Sequence, residues 1–314
     1  MRTSVARTTV PVSARHRPWA ALLLLLGLGL GTSPAARAEG VLDRVARSGQ
    51  LQLIGPANQP PMLSRDGRGQ AQGYAVLIGE RVAGLLTEAL GRPVRLQVEP
   101  VADGALISER LGSGKADLAC GLPFSWAREM TLDFTLPIGL SGLRLLAPAG
   151  RFSGAPAQLA GQTIAVVQGS LAESQLRGMQ PAARITTVAD LPAAVAALGS
   201  GRVQGVIGDS SLLAGLARQQ GLSGLALTPA VPYERYAVAC AVPENDSAFR
   251  DLVNRAIVQL QQGYVDGDPQ AVAAVNRWLG PGSALNLPAD RIRSVFDALL
   301  MGVEALRPLP AAPR

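Results

Sequence analysis

From residue 49 to residue 242 the chain alternates short apolar runs with longer stretches whose apolar residues recur at helical spacing, and glycine stands at most junctions. Residues 49–55 read as an alternating strand between two glycines. A turn-rich stretch holding Pro60-Pro61 and Asp66-Gly67 follows, then a helix over 76–90 that Gly91-Arg92-Pro93 stops. The same reading predicts strands at 94–98, 116–120, 143–147, 163–167, 203–207 and 236–242. Helices are expected at 41–48, 105–111, from Gly169-Ser170 onward, 191–198 and 211–219. Strands and helices alternating at these lengths imply an α/β fold of parallel sheets with crossover helices. Two more helices, at 249–261 and 290–306, carry apolar stripes. The last is expected to pack on the first α/β half rather than to offer a docking surface, and the proline-rich tail beyond Arg307 is expected to be disordered.

The N-terminus reads as a cleavable export signal. Arg2, Arg7, Arg15 and Arg17 precede an apolar run over 19–31, and Ala36-Arg37-Ala38 is a small-x-small cleavage site, so cleavage is expected after Ala38 and the product is expected in the periplasm. The run is shorter than the ~20 residues that span a bilayer. Without it, 29 basic residues against 23 acidic become 24 against 23, and the basic residues left are scattered among acids, which argues against a nucleic-acid partner. The single histidine, His16, leaves with the signal. A chain without histidine has no Ser/His or Cys/His nucleophile and no His-ligated zinc, so neither catalysis of that kind nor a metal or cofactor is expected. Cys120 and Cys240 fit one disulfide in an oxidising compartment and fit two buried thiols equally well.

Between residues 41 and 280 the landmarks fall in a recognisable order: Gly49-Gln50-Leu51, Pro60-Pro61-Met62, Gly73-Tyr74, Gly114-Lys115-Ala116-Asp117-Leu118, Ser125-Trp126-Ala127-Arg128 and Leu132-Asp133-Phe134-Thr135. Ile164-Ala165-Val166-Val167-Gln168-Gly169-Ser170 and Gly201-Arg202-Val203-Gln204-Gly205-Val206-Ile207-Gly208-Asp209 follow. Their order and spacing resemble the family 3 extracellular solute-binding proteins, periplasmic receptors of polar amino-acid ABC transporters. That resemblance implies a type II periplasmic binding fold, two α/β lobes joined by a two-strand hinge (a Venus flytrap). The first lobe is expected over 39–143 and 237–282, the second over 144–236, with a C-terminal helix and tail over 283–314. Asp117 to Gly121, Ser125 to Glu129, Pro243-Glu244-Asn245 and the run from Gly263 to Pro269 are similar to a narrower set, the cyanobacterial GrrP-like orphan members that accompany a radical-SAM system acting on glycine-rich-repeat peptides.

The resemblance implies a site between the lobes. Arg128, whose guanidinium forks toward a carboxylate, is the expected carboxylate clamp, against the alternative of an ion pair with Glu129 or Asp133. Gly169 and Ser170 start a helix whose amides could face an anion or simply be capped. Asp209 could bind an α-ammonium or cap the helix after it. Ser125 could donate to the ligand, although a turn cap is favoured. Phe124, Trp126 and Met62 could wall the site, although core packing is the commoner duty of such residues. The sequence also departs from the family. Pro123 replaces a hydroxyl residue five before Arg128, Gln59 stands where an aromatic covers the ligand, Ala57 or Asn58 replaces an acid, and Ala75 and Leu77 replace two more. The carboxylate clamp is kept while the ammonium clamp is thinned.

The expectation is a monomeric, non-enzymatic periplasmic binding protein for a small polar, carboxylate-bearing ligand, an amino acid, modified amino acid or short peptide. Two alternatives stay open: an orphan partner of a secreted glycine-rich peptide, and a cyclohexadienyl or arogenate dehydratase-like enzyme using Glu129 or Glu173. Cys120 and Cys240 lie on strands that are neighbours in the family's fold, so the resemblance makes a cross-strand disulfide conceivable.

Overall fold

The computed structural model describes residues 39–101 and 105–303. The expected signal and cleavage site, and the tail after Arg307, lie outside the described residues.

The chain begins with α1 (Val41–Ser48), closed by the left-handed Gly49. There follow β1 (Gln50–Pro56), the short hairpin β2 (Ser64–Arg65) and β3 (Ala71–Gln72), α2 (Tyr74–Leu90), β4 (Arg95–Val101), α3 (Ala105–Gly112), β5 (Leu118–Pro123), α4 (Trp126–Glu129) and β6 (Leu132–Pro148). Next are β7 (Thr163–Val167), α5 (Leu171–Met179), β8 (Arg184–Val188), α6 (Leu191–Gly199), β9 (Gly205–Asp209), α7 (Ser210–Gln219), β10 (Leu225–Thr228) and β11 (Glu234–Pro243). The last helices are α8 (Ser247–Asp266), α9 (Pro269–Asn276) and α10 (Ala289–Leu300).

The main sheet runs β4-β1-β5-β11-β6-β9-β7-β8, with β10 on β6. β1 is parallel to β4 and β5, and β7 is parallel to β8 and β9, as crossover helices demand. The purely parallel expectation fails at the centre. β6 and β11 pair antiparallel from Leu132↔Pro243 to Leu143↔Glu234 and join the two parallel halves, which makes the architecture a type II binding fold with a two-strand hinge. The hinge strand begins eleven residues before the expected start at Leu143, because Pro137, Gly139 and Gly142 look like turn residues in sequence. Register shifts on both sides of Ala239 accommodate that irregular stretch.

Two local devices hold the first lobe. The side chain of Asp117, 1% exposed, takes hydrogen bonds from Nε of Arg44 at 3.0 Å and the amide of Gln52 at 2.7 Å, with Nη2 of Arg44 bonded to the same carboxylate. This buried pair ties α1 to β1 and β5, which accounts for the Gly-Lys-Ala-Asp-Leu landmark. At Gly73 (φ 142°) any Cβ would lie 2.1 Å from the carbonyl oxygen of Met62. With that space empty, the amides of Tyr74 and Ala75 reach the carbonyls of Pro61 and Met62, and the Pro-Pro-Met loop is pinned over the start of α2.

Cys120 and Cys240 are joined in a disulfide between β5 and β11. α10 packs on α8, with Phe296 edge-on to Tyr264 at 5.5 Å between centroids. It ends at Leu300 rather than 306, since Met301-Gly302 turns the chain there. The preceding loop reaches the other half: Arg218 of α7 donates to the carbonyl of Ala284 at 2.8 Å and also to that of Leu285.

Candidate functional site

A cleft of about 970 Å³ lies beside the hinge, lined by the loop after β1, the end of β5, both hinge strands, the starts of α5, α6 and α7, and, where it extends along the hinge, by α10 and the loop before it. Strand ends and helix N-termini converge on it, the usual place for a ligand in open α/β sheets. Asn58 donates to Asp190 across it at 3.3 Å, one side chain following β1 and the other capping α6.

Arg128 is the dominant charge on the β5 side. It lies in the single turn α4, which Ser125 caps: Oγ of Ser125 accepts from the amide of Arg128 at 3.3 Å. One guanidinium nitrogen donates to the carbonyl of Pro123 at 3.1 Å, and the group lines the cleft. Arg128 forms no ion pair among the described residues. The expected alternatives are engaged elsewhere, since Glu129 accepts the amide of Phe134 and Asp133 pairs with Arg250 at 3.6 Å. Burial pulls the Arg128 pKa below the usual guanidinium value, because a cation loses solvation there. A guanidinium carries five N–H donors in a fork that matches a carboxylate, and one of its nitrogens is engaged here with a backbone carbonyl.

On the opposite side, Asp209 ends β9 and caps α7. Its Oδ1 accepts the amides of Ser211 at 2.9 Å and Leu212 at 3.0 Å, and its Oδ2 accepts the hydroxyl of Tyr236 at 2.8 Å. Burial first, then the charge of Asp209, raises the Tyr236 pKa well above the usual phenol value, so that hydroxyl stays a donor. Gly169 and Ser170 also line the cleft, but their amides are occupied: that of Gly169 donates to the Glu173 carboxylate at 2.7 Å and that of Ser170 to the carbonyl of Val167 at 3.2 Å, while the Ser170 hydroxyl accepts the amide of Glu173. Arg177 and then the Gly169 amide hold the Glu173 carboxyl below the usual range.

Arg128, Met62, Gly169, Ser170 and Asp209 are therefore brought together around one cleft. Ser125 and Phe124 are not among its lining. Ser125 is a turn cap, and Phe124 stacks edge-on with Phe134 and Trp126 beside the smaller core of the first lobe. Trp126 is exposed and forms no wall. Sequence reasoning missed Tyr236, Asp190, Ser141 and three further lining arginines, Arg144, Arg235 and Arg291. The Ser170-x-x-Glu173 spacing could have announced the occupied helix start, although Glu173 takes the amide of Gly169 rather than that of the cap residue. Nothing local announces Tyr236, whose partner is 27 residues away. No cluster of metal-ligating side chains occurs among the described residues.

The model of the bacterial extracellular solute-binding proteins, family 3, matches residues 51–280. The chain is 24% identical over 296 residues to the glutamate/aspartate import solute-binding protein of Salmonella typhimurium (strain LT2), covering 88% of this chain and 95% of that one. The crystal structure of the ancestral amino acid-binding protein AncCDT-1, a precursor of cyclohexadienyl dehydratase, superposes with TM-score 0.65 at 20% identity, over 77% of this chain and all of that one. The solute receptor for L-cysteine of Neisseria gonorrhoeae gives TM-score 0.65 at 23% identity, over 76% and 94%. With the landmarks, the two-strand hinge and the cleft in agreement, the chain belongs to the bacterial extracellular solute-binding proteins of family 3.

Proposed function

We propose that the protein captures a small carboxylate-bearing ligand, an amino acid, a modified amino acid or a short peptide, between two lobes that close about the β6–β11 hinge. The lobe limits are 39–143 with 237–282, and 144–236. The observation that carries this reading is Arg128, a desolvated guanidinium in the cleft without a carboxylate partner among the described residues. Binding would favour the closed form by adding a ligand that touches both sides. The relatives' names point to amino acids and to import, and delivery to an ABC permease after export by the N-terminal signal is part of the same proposal. A secreted glycine-rich peptide as partner rests on the narrower sequence likeness alone.

The dehydratase alternative needs an acid poised beside the ligand. Glu129 and Glu173 both accept backbone amides, and neither lines the cleft. Incubation with prephenate or arogenate should leave both unchanged. Isothermal calorimetry of the purified protein against amino acids, N-acylated amino acids and short peptides should find a ligand binding one to one, with affinity lost in Arg128→Ala. Unchanged affinity in that variant would refute the site.

A further inference from the structure

Resting on the reading of the cleft as a carboxylate site, we propose that its ligand is a carboxylate whose α-nitrogen is acylated or absent: an N-acyl amino acid, the C-terminal residue of a short peptide, or a 2-oxo acid. The charges around the cleft are unequal. Among the described residues its lining holds four arginines, Arg128, Arg144, Arg235 and Arg291, against two acids, Asp190 and Asp209.

Both acids are already engaged, with three donors on Asp209 and two on Asp190 out of the roughly four that a carboxylate accepts. Asp209 accepts two amides on one oxygen and the Tyr236 hydroxyl on the other. Asp190 accepts the amide of Ala193 at 2.8 Å on one oxygen and the Asn58 side chain at 3.3 Å on the other. An α-ammonium gives up strong hydration on entering a cleft and must recover it from acceptors, three for its three protons. Here it would have to share carboxylate oxygens that already accept from Tyr236, Ala193 or Asn58, and it would sit in a site where positive charge already exceeds negative.

The donors tell the opposite story. Arg144 spends two nitrogens on the carbonyls of Pro229, at 2.6 Å, and Ala230, whereas Arg128 spends one on Pro123 and keeps the rest for an incoming anion. Acylation or oxidation of the α-nitrogen position removes the cation and adds a carbonyl acceptor, which suits a site rich in donors. A cleft of about 970 Å³ also has room for the added group.

Tyr236 is the residue through which the selection can be changed. In Tyr236→Phe the second oxygen of Asp209 loses its competing donor and can give all of its acceptor capacity to an ammonium. Calorimetry on the wild-type protein would compare each L-amino acid with its N-acetyl derivative and its 2-oxo acid. The expected result is at least one derivative binding tenfold or more tighter than its parent amino acid, with that ratio narrowing at least tenfold in Tyr236→Phe. A free amino acid that binds as tightly as its derivatives or tighter would overturn this inference and leave the cleft reading standing. No binding across all three sets would overturn both. The wild-type comparison stands even if the variant folds poorly.

Discussion

Arg128 donates to the carbonyl of Pro123 at 3.1 Å, across the turn that Ser125 caps. Proline at that position offers no hydroxyl or N–H to a ligand, but its carbonyl orients the guanidinium and leaves the remaining donors for the cleft. The departure from the family pattern thus removes a hydroxyl and an N–H, while the carbonyl that Arg128 meets is a backbone group that any residue there would present. The arrangement costs stability in the empty protein, because the cation is desolvated without a counter-ion.

Replacing that cation should therefore not weaken the empty fold. Arg128→Ala is expected to leave the midpoint of thermal unfolding unchanged or to raise it. A clear fall would mean that the guanidinium is structural.

Asp117 is the opposite case. Its carboxylate is buried, paired with Arg44 and bonded to the Gln52 amide, so Asp117→Ala strands a cation and an amide. Breaking a fully buried pair costs about 3–5 kcal/mol, and with Arg44 25% exposed the loss should fall at or below the lower end of that range. Urea unfolding should show that loss, with the slope unchanged.

The bond between Cys120 and Cys240 closes a loop of 120 residues. Constraint of the unfolded chain by a loop of that size is worth about 4–5 kcal/mol in the chain-entropy account. Thiol titration of the oxidised protein in denaturant should find no free thiol, and reduction should lower the unfolding midpoint.

Phe296, 1% exposed against Tyr264, anchors the C-terminal helix beyond the end of the family match at residue 280. Phe296→Ala should cost about 3–5 kcal/mol, as large-to-small changes in cores do. Intact stability would show that α10 is dispensable to the fold.

Acid should loosen the start of α5. The Glu173 carboxyl is held below its usual value when folded, so its contribution is present above the unfolded pKa, near 4.3, and is lost as pH falls through the lower folded value. Glu173→Gln should flatten the fall in stability between neutral and strongly acidic pH, measured by urea unfolding at each pH.

Much of this was legible because burial and periodicity coincide. Thr163–Val167 is β-branched and largely buried, and its reading as a strand needed nothing else. Arg184–Val188 was missed because its residues are exposed or half-buried and carry no apolar alternation, so pairing with β7 alone makes them a strand. In the site, Arg128 could be found from its motif because the turn that aims it is local. The engagement of Asp209 could not: Tyr236 reaches it only when β11 has paired with β6, and β6 with β9. Phe124 sits two residues from the cleft-lining Leu122, yet its ring turns to Phe134, a choice that packing makes and spacing does not show.

The most direct trial is paired calorimetry of wild type and Arg128→Ala with whichever carboxylate ligand the wild-type protein binds. A guanidinium receiving that carboxylate predicts at least a hundredfold loss of affinity at an unchanged fold. Equal affinity in the two proteins would contradict it.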